Sequence, residues 1–197
     1  MNFSRWIMGA ALLISAAAQA EEAKTERYAA VHSFNWEVGN NFADGSGLRL
    51  TLGHQLSEYL GVEVQGATGG GRDVTLYTAD PVPVPFTAEA RLDQMLGAYL
   101  RAQVPLGERV KVFGLFGYTK AKLEVESGAG AMTGSGQPLD RTAFTEAESG
   151  MSYGGGVEIG IFPGLLNDRL KLGLDYMVYL DGDVEAKATS VGLRLDF

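Results

Sequence analysis

Cysteine is absent from the 197 residues, so the chain holds neither a disulfide framework nor a thiolate metal site. Histidine is scarce: His32 and His54 are the only two, too few and too distant for a typical zinc centre. Positive charge is in deficit, with 16 Lys and Arg against 24 Asp and Glu and a formal net charge of −8, which argues against nucleic acid as a partner. Beyond residue 20 no stretch approaches the ~20 apolar residues of a spanning helix. Phosphate loops are missing too, because Gly69-Gly70-Gly71 and Gly128-Ala129-Gly130 do not bridge a strand to a helix. No catalytic, cofactor-binding or metal-ligating residues are predicted.

The N-terminus has the form of an export signal. Met1 to Arg5 carries one positive charge, Trp6 to Ala18 is apolar, and Ala18-Gln19-Ala20 matches an A-x-A cleavage site ahead of Glu21-Glu22. This predicts a signal peptide over 1–20, a short periplasmic lead over 21–27 and a single domain over 28–197. An exported chain without a spanning helix can still cross a bilayer as a closed barrel, which pairs every backbone group.

The last eight residues show how. Val191, Leu193, Leu195 and Phe197 fall on one face of an extended strand, and Ser190, Gly192, Arg194 and Asp196 on the other. Small and charged residues opposite an apolar face suit a narrow polar interior with lipid outside. The same period of two marks strands over 28–38, 48–56, 60–66, 90–104, 110–125, 149–161 and 169–180, with an eighth ending at Phe197. Residues 68–88, with Pro81, Pro83 and Pro85, and residues 126–148 read as loops, since proline does not sit inside a fully paired sheet. Long and short connections alternate, which places both termini in the periplasm.

Assigning faces gives a lumen. In strand one, His32, Phe34, Trp36 and Val38 are expected outward, opposite Ser33, Asn35 and Glu37. In the fourth, Leu92, Leu96, Leu100 and Val104 oppose Arg91, Asp93, Tyr99 and Arg101. In the seventh, Leu170 through Leu180 alternate outward, Val178 among them. The lumen charge network is then Glu37, Arg49, Glu63, Arg91, Asp93, Arg101, Lys111, Glu158, Lys171, Asp175, Arg194 and Asp196. An eight-stranded interior is just wide enough for side chains to fill, and buried charges must pair, so balanced signs predict a salt-bridged plug. Tyr28, Trp36, Tyr59, Phe116, Tyr118, Phe162, Tyr176 and Phe197 are expected in interfacial aromatic girdles, and both histidines are read as interfacial.

The closing segment also resembles the insertion signal of bacterial outer-membrane barrels, at Ser190, Gly192, Leu195 and Phe197. Leu48-Arg49-Leu50-Thr51-Leu52-Gly53-His54-Gln55-Leu56, Tyr59-Leu60-Gly61-Val62-Glu63, Val104-Pro105-Leu106-Gly107 and Gly173-Leu174-Asp175-Tyr176 extend the resemblance to the small outer membrane protein β-barrel domain family. OmpX and the transmembrane part of OmpA are architectural relatives of that family. The resemblance implies an all-β, eight-stranded antiparallel up-and-down transmembrane β-barrel in the bacterial outer membrane. It also implies handling by the barrel-assembly machinery, contact with outer-membrane lipids including lipopolysaccharide, and no cofactor. A non-enzymatic structural or surface-interaction role is expected, with loops 69–88 and 126–147 meeting host, phage or envelope proteins. Two alternatives stay open: a narrow OmpW-like conduit and a lipid A-modifying enzyme. The His-x-Ser arrangement of the small lipid A deacylases is absent, and the adjacent His32 and Ser33 point to opposite faces of a strand.

Overall fold

A computed structural model describes residues 26–39, 43–71, 73–77, 85–127, 143–161, 169–181 and 185–197. The expected signal peptide, most of the lead, Pro81, Pro83, Phe162 and the tips of both long loops lie outside these described residues. Among the described residues nine strands form: β1 (Arg27–Val38), β2 (Ala43–Gln55), β3 (Leu60–Gly71), β4 (Asp73–Tyr77), β5 (Pro85–Pro105), β6 (Val110–Ser127), β7 (Ala143–Gly160), β8 (Leu170–Asp181) and β9 (Ala186–Asp196). They hydrogen-bond in the order β3-β2-β1-β9-β8-β7-β6-β5-β4, and β3 also pairs with β5, which closes the sheet. β4 pairs with β5 from Asp73↔Glu89 to Tyr77↔Pro85, prolonging the β3–β5 hairpin. The ring therefore has eight antiparallel staves.

The seam joins the first stave to the last, from Tyr28↔Asp196 to Val38↔Ala186. Beyond it, Phe197 N–H donates to Arg27 C=O at 2.8 Å and Arg27 N–H to Phe197 C=O at 3.2 Å. Closure leaves no open edge in the ring, which is what lets a sheet sit in hydrocarbon.

Alternation then decides which side meets lipid. Leu48, Leu50 and Leu52 of β2 are 59–65% exposed, whereas Arg49 between them is 1% exposed. On β9, Val191, Leu193, Leu195 and Phe197 face out while Ser190, Arg194 and Asp196 are buried. A globule in water would bury those leucines; their outward belt is a surface for hydrocarbon.

Several sequence expectations need correction. β1 is reversed: His32, Phe34, Trp36 and Val38 are buried inside, and Glu37 is exposed on the outer face. The lumen near that end is packed with apolar side chains, so β1's aromatics serve as its filling. Tyr28 and Trp36 consequently leave the girdle, and His32 is not interfacial. In β5, the register slips between Leu92 and Gln94 and, against β3, between Ala67 and Gly69. This bulge shifts the alternation: Leu92 turns in, and Arg91 and Asp93 stay outside. A further slip between Met151 and Tyr153, against β8, accompanies consecutive burial of Met177, Val178 and Tyr179, so Val178 is not lipid-facing. The long connections are also shorter than expected, since residues 68–71, 73–77, 85–88, 126–127 and 143–148 are strand. Pro85 takes the first place of its strand, where a missing N–H is tolerated.

The staves are unequal. β5 has 21 residues, and β6 and β7 have 18 each, against 12 in β1. Pairing of β7 with β8 begins only at Met151, so residues 143–150 bond to β6 alone among the described strands. One end of the barrel has short turns; the other carries this four-stranded extension of β4 to β7.

Candidate functional site

The side chains that carry chemistry gather in the lumen, in two ionic clusters under an apolar cap. Nearest the short turns, Glu158 from β7 lies between two guanidinium groups, 2.8 Å from Arg101 Nη2 and 3.0 Å from Arg194 Nη1. Arg101 Nη1 also donates to Glu63 at 2.7 Å. The Glu63 carboxylate accepts further bonds from the Tyr28 hydroxyl at 2.6 Å and from Gln65 Nε2 at 3.0 Å. Arg194 Nε donates to Asp196 at 2.7 Å, and Lys171 Nζ pairs with the same carboxylate. Aromatic faces complete the setting: Arg101 lies 3.8 Å from the Phe113 ring centre and Arg194 3.5 Å from that of Tyr28. Five strands, β3, β5, β7, β8 and β9, contribute the charged residues, all on the inward parity.

Tyr28 fits there because β2 offers no side chain opposite it. A Cβ on Gly53 would stand 2.0 Å from the Tyr28 ring, so only glycine lets the ring lie flat against that strand.

Midway along the lumen, Arg49 Nη2 donates to Asp175 Oδ2 at 2.5 Å and to Ser190 Oγ at 2.9 Å, and its Nη1 to the Tyr179 hydroxyl at 2.9 Å. His32 Nδ1 stands 3.5 Å from the same Asp175 oxygen and 3.3 Å from Ser190 Oγ. Serine, histidine and aspartate thus meet, but acid and hydroxyl approach the same ring nitrogen. A relay needs the acid on one nitrogen and the nucleophile on the other. The trio was not visible beforehand because Ser190 lies far from His32 in sequence and the register of β1 was inverted.

Above Arg49 the lumen is closed by Phe34, Trp36, Val38, Leu92, Met95, Ala121, Met177 and Tyr179, all buried in one cluster. Of the charged residues expected inside, Arg49, Glu63, Arg101, Glu158, Lys171, Asp175, Arg194 and Asp196 are joined as described. Lys111 stands half-buried on the inward parity of β6. Three are not brought in. Glu37 is exposed opposite Lys187; Arg91 reaches Glu124 at 3.4 Å; Asp93 pairs with Lys122 at 2.8 Å on the outer surface. Among the described residues no cluster of His, Asp and Glu suits a metal ion.

A closed antiparallel sheet with leucine outside and paired charge inside defines a transmembrane β-barrel. The match to the model of the outer membrane protein beta-barrel domain spans residues 7–197, and the chain belongs to that family and to the bacterial outer membrane. No curated protein matches it in sequence. Among solved structures it resembles Ail, the attachment invasion locus protein of Yersinia pestis, in complex with the heparin analogue sucrose octasulfate. That match has a TM-score of 0.56 and 15% identity over 89% of this chain and 100% of the other. It also resembles Neisserial surface protein A (TM-score 0.57, 16% identity, 87% and 97% covered) and OprG from Pseudomonas aeruginosa (TM-score 0.57, 10% identity, 91% and 98% covered). At these identities the likeness is one of fold.

Proposed function

We propose that the chain is a non-enzymatic barrel with a sealed lumen that acts at the cell surface through its long hairpins, its short turns lying in the periplasm. The observation that carries this reading is the β4–β7 extension, in which, among the described residues, residues 143–150 of β7 pair with β6 alone. An unpaired strand edge in water is a template for another strand. The lumen argues in the same direction. Its arginines are each matched to a carboxylate and capped by apolar packing, which leaves the middle of the barrel as support. Ser190, Gly192, Leu195 and Phe197 serve on this reading as the assembly signal, three of them on the barrel's closing strand. The sulfated ligand of the Yersinia protein does not carry over, since a net charge of −8 repels polyanions.

The test has two parts. Purified barrel in a planar bilayer is expected to give no steady conductance; regular openings would favour a conduit. Cells displaying the chain are expected to retain immobilised matrix proteins better than cells carrying a barrel whose β6–β7 hairpin is trimmed to residues 119 and 151. Equal retention would overturn the surface role.

A further inference from the structure

Two exposed charges of opposite sign stand on opposite walls of the barrel. Around the ring, β9, β8 and β7 lie between β1 and β6 on one side, and β2, β3 and β5 on the other. β1 and β6 are therefore diametrically opposed. Glu37 faces out from β1 and Lys120 from β6.

The register also puts them at one height. From Phe116 of β6, a row of cross-strand partners runs through Leu100, Val62 and His54 to Arg27. In the other direction the row runs through Tyr153, Val178 and Lys187 to Glu37. Both ends fall on β1, ten residues apart, because tilted strands make a row climb as it circles the barrel. Each arm covers half the circuit, so Phe116 is level with the midpoint, His32. Both strands run away from the short turns. Four residues further along each, Lys120 is level with Trp36, beside Glu37.

Their surroundings on the wall differ in charge and bulk. Lys120 has the uncharged Leu96 and Ser149 as cross-strand neighbours. Glu37 has Asp44 and Lys187, and Lys187 is bound to Glu185 at 2.7 Å. Below Lys120, β6 presents Phe116 and Tyr118, 55% and 44% exposed. At the same heights β1 presents the smaller Val31, Ser33 and Asn35, all exposed. Large outward side chains on one wall thus correspond to small ones on the other.

We infer that copies of this chain associate side by side in the membrane, the β6 wall of one against the β1 wall of the next, with Lys120 paired to its neighbour's Glu37. The partner is a second copy because charge, height and bulk match between two walls of the same molecule. A simple translation brings those walls together and keeps every barrel the same way up, as a shared membrane requires. Contact between opposite faces is head-to-tail and does not close on itself, so the product is an open row. Within a membrane, packing and polar contacts drive such association. One exposed ion pair adds little by itself; here it sets the register, and Phe116 and Tyr118 supply the contact area.

A water-soluble carbodiimide, which joins a carboxylate to an amine it touches, tests this on the full chain reconstituted in phospholipid vesicles. The unaltered protein is expected to give a ladder of dimers, trimers and longer species, with peptide mapping placing the new amide between Glu37 and Lys120. Glu37→Gln alone and Lys120→Gln alone are each expected to lose the ladder. Mixed before reconstitution, the two variants are expected to recover a linked dimer and nothing longer, since each keeps one competent wall. Both positions are exposed, and the gel shift between boiled and unboiled samples checks that each variant is folded. No ladder from the unaltered protein, a ladder from either variant alone, or no linked dimer from the mixture overturns the proposal.

Discussion

The guanidinium of Arg194 lies 3.5 Å above the centre of the Tyr28 ring, and this contact ties the last stave of the barrel to the first. Tyr28 also gives its hydroxyl proton to Glu63, so one side chain braces two charges of opposite sign. Tyr28→Phe keeps the ring and removes the bond, and is expected to cost about 1–3 kcal/mol. Tyr28→Leu loses the aromatic face as well, adding about 0.5–2 kcal/mol. Urea unfolding in detergent micelles, followed by tryptophan fluorescence, ranks the two; equal costs would mean that the ring contributes nothing.

Glu158 is the acid shared by Arg101 and Arg194. Glu158→Gln keeps the shape and leaves excess positive charge among buried groups, where breaking a buried pair costs about 3–5 kcal/mol. The gel shift between boiled and unboiled samples should then occur at lower temperature. An unchanged transition would show that water reaches these groups.

Neighbours on β8 should respond in opposite ways. Leu174 is 51% exposed and Asp175 is 6% exposed. Leu174→Arg puts charge in the hydrocarbon, a cost of about 2–4 kcal/mol at mid-bilayer depth, and should slow insertion into lipid vesicles. Asp175→Asn should insert at the normal rate and lose stability through Arg49. The reverse pattern would invert the strand.

On β1 the corresponding pair is Trp36 and Glu37. Trp36→Ala empties a packed position and is expected to cost about 3–5 kcal/mol. Glu37→Ala, exposed on the wall, should stay within about 0.5 kcal/mol. Thermal melts by circular dichroism separate them.

These pairs also show what sequence can and cannot reveal about such a fold. β8 and β9 were legible because each outward residue from Leu170 to Leu174 and from Val191 to Phe197 is apolar and their inward neighbours are polar or small. β1 was misread because its inside is as greasy as a lipid face. Phe34 and Trp36 fill the cap, while Ser33 stands among exposed Leu48 and Val191 and Asn35 and Glu37 line the wall beyond them. Hydrophobicity reports contact with something apolar, and here lipid and core are both candidates. β5 reads correctly from Leu96 to Val104, and only Arg91, Leu92 and Asp93 change face, since a bulge at Asp93 exchanges the faces before it and no residue type announces it. The extended hairpins read as loops because Pro81, Pro83 and Pro85 mark the first and Gly, Ser and Ala dominate the second, signals that do not show how far strand pairing runs before the turn.

The seam between β1 and β9 has a further meaning. Arg27 and Phe197 bond to each other in both directions, so the wall is a loop of staves with no privileged starting point. A rearranged gene that spliced residue 197 to residue 27 and began instead at the Ser57–Tyr59 turn would specify the same cylinder. Cutting within β9 is a different matter, for then Tyr28 to Val38 on one flank and Leu170 to Tyr179 on the other would stand as bare ladders, and the cylinder would become a ribbon.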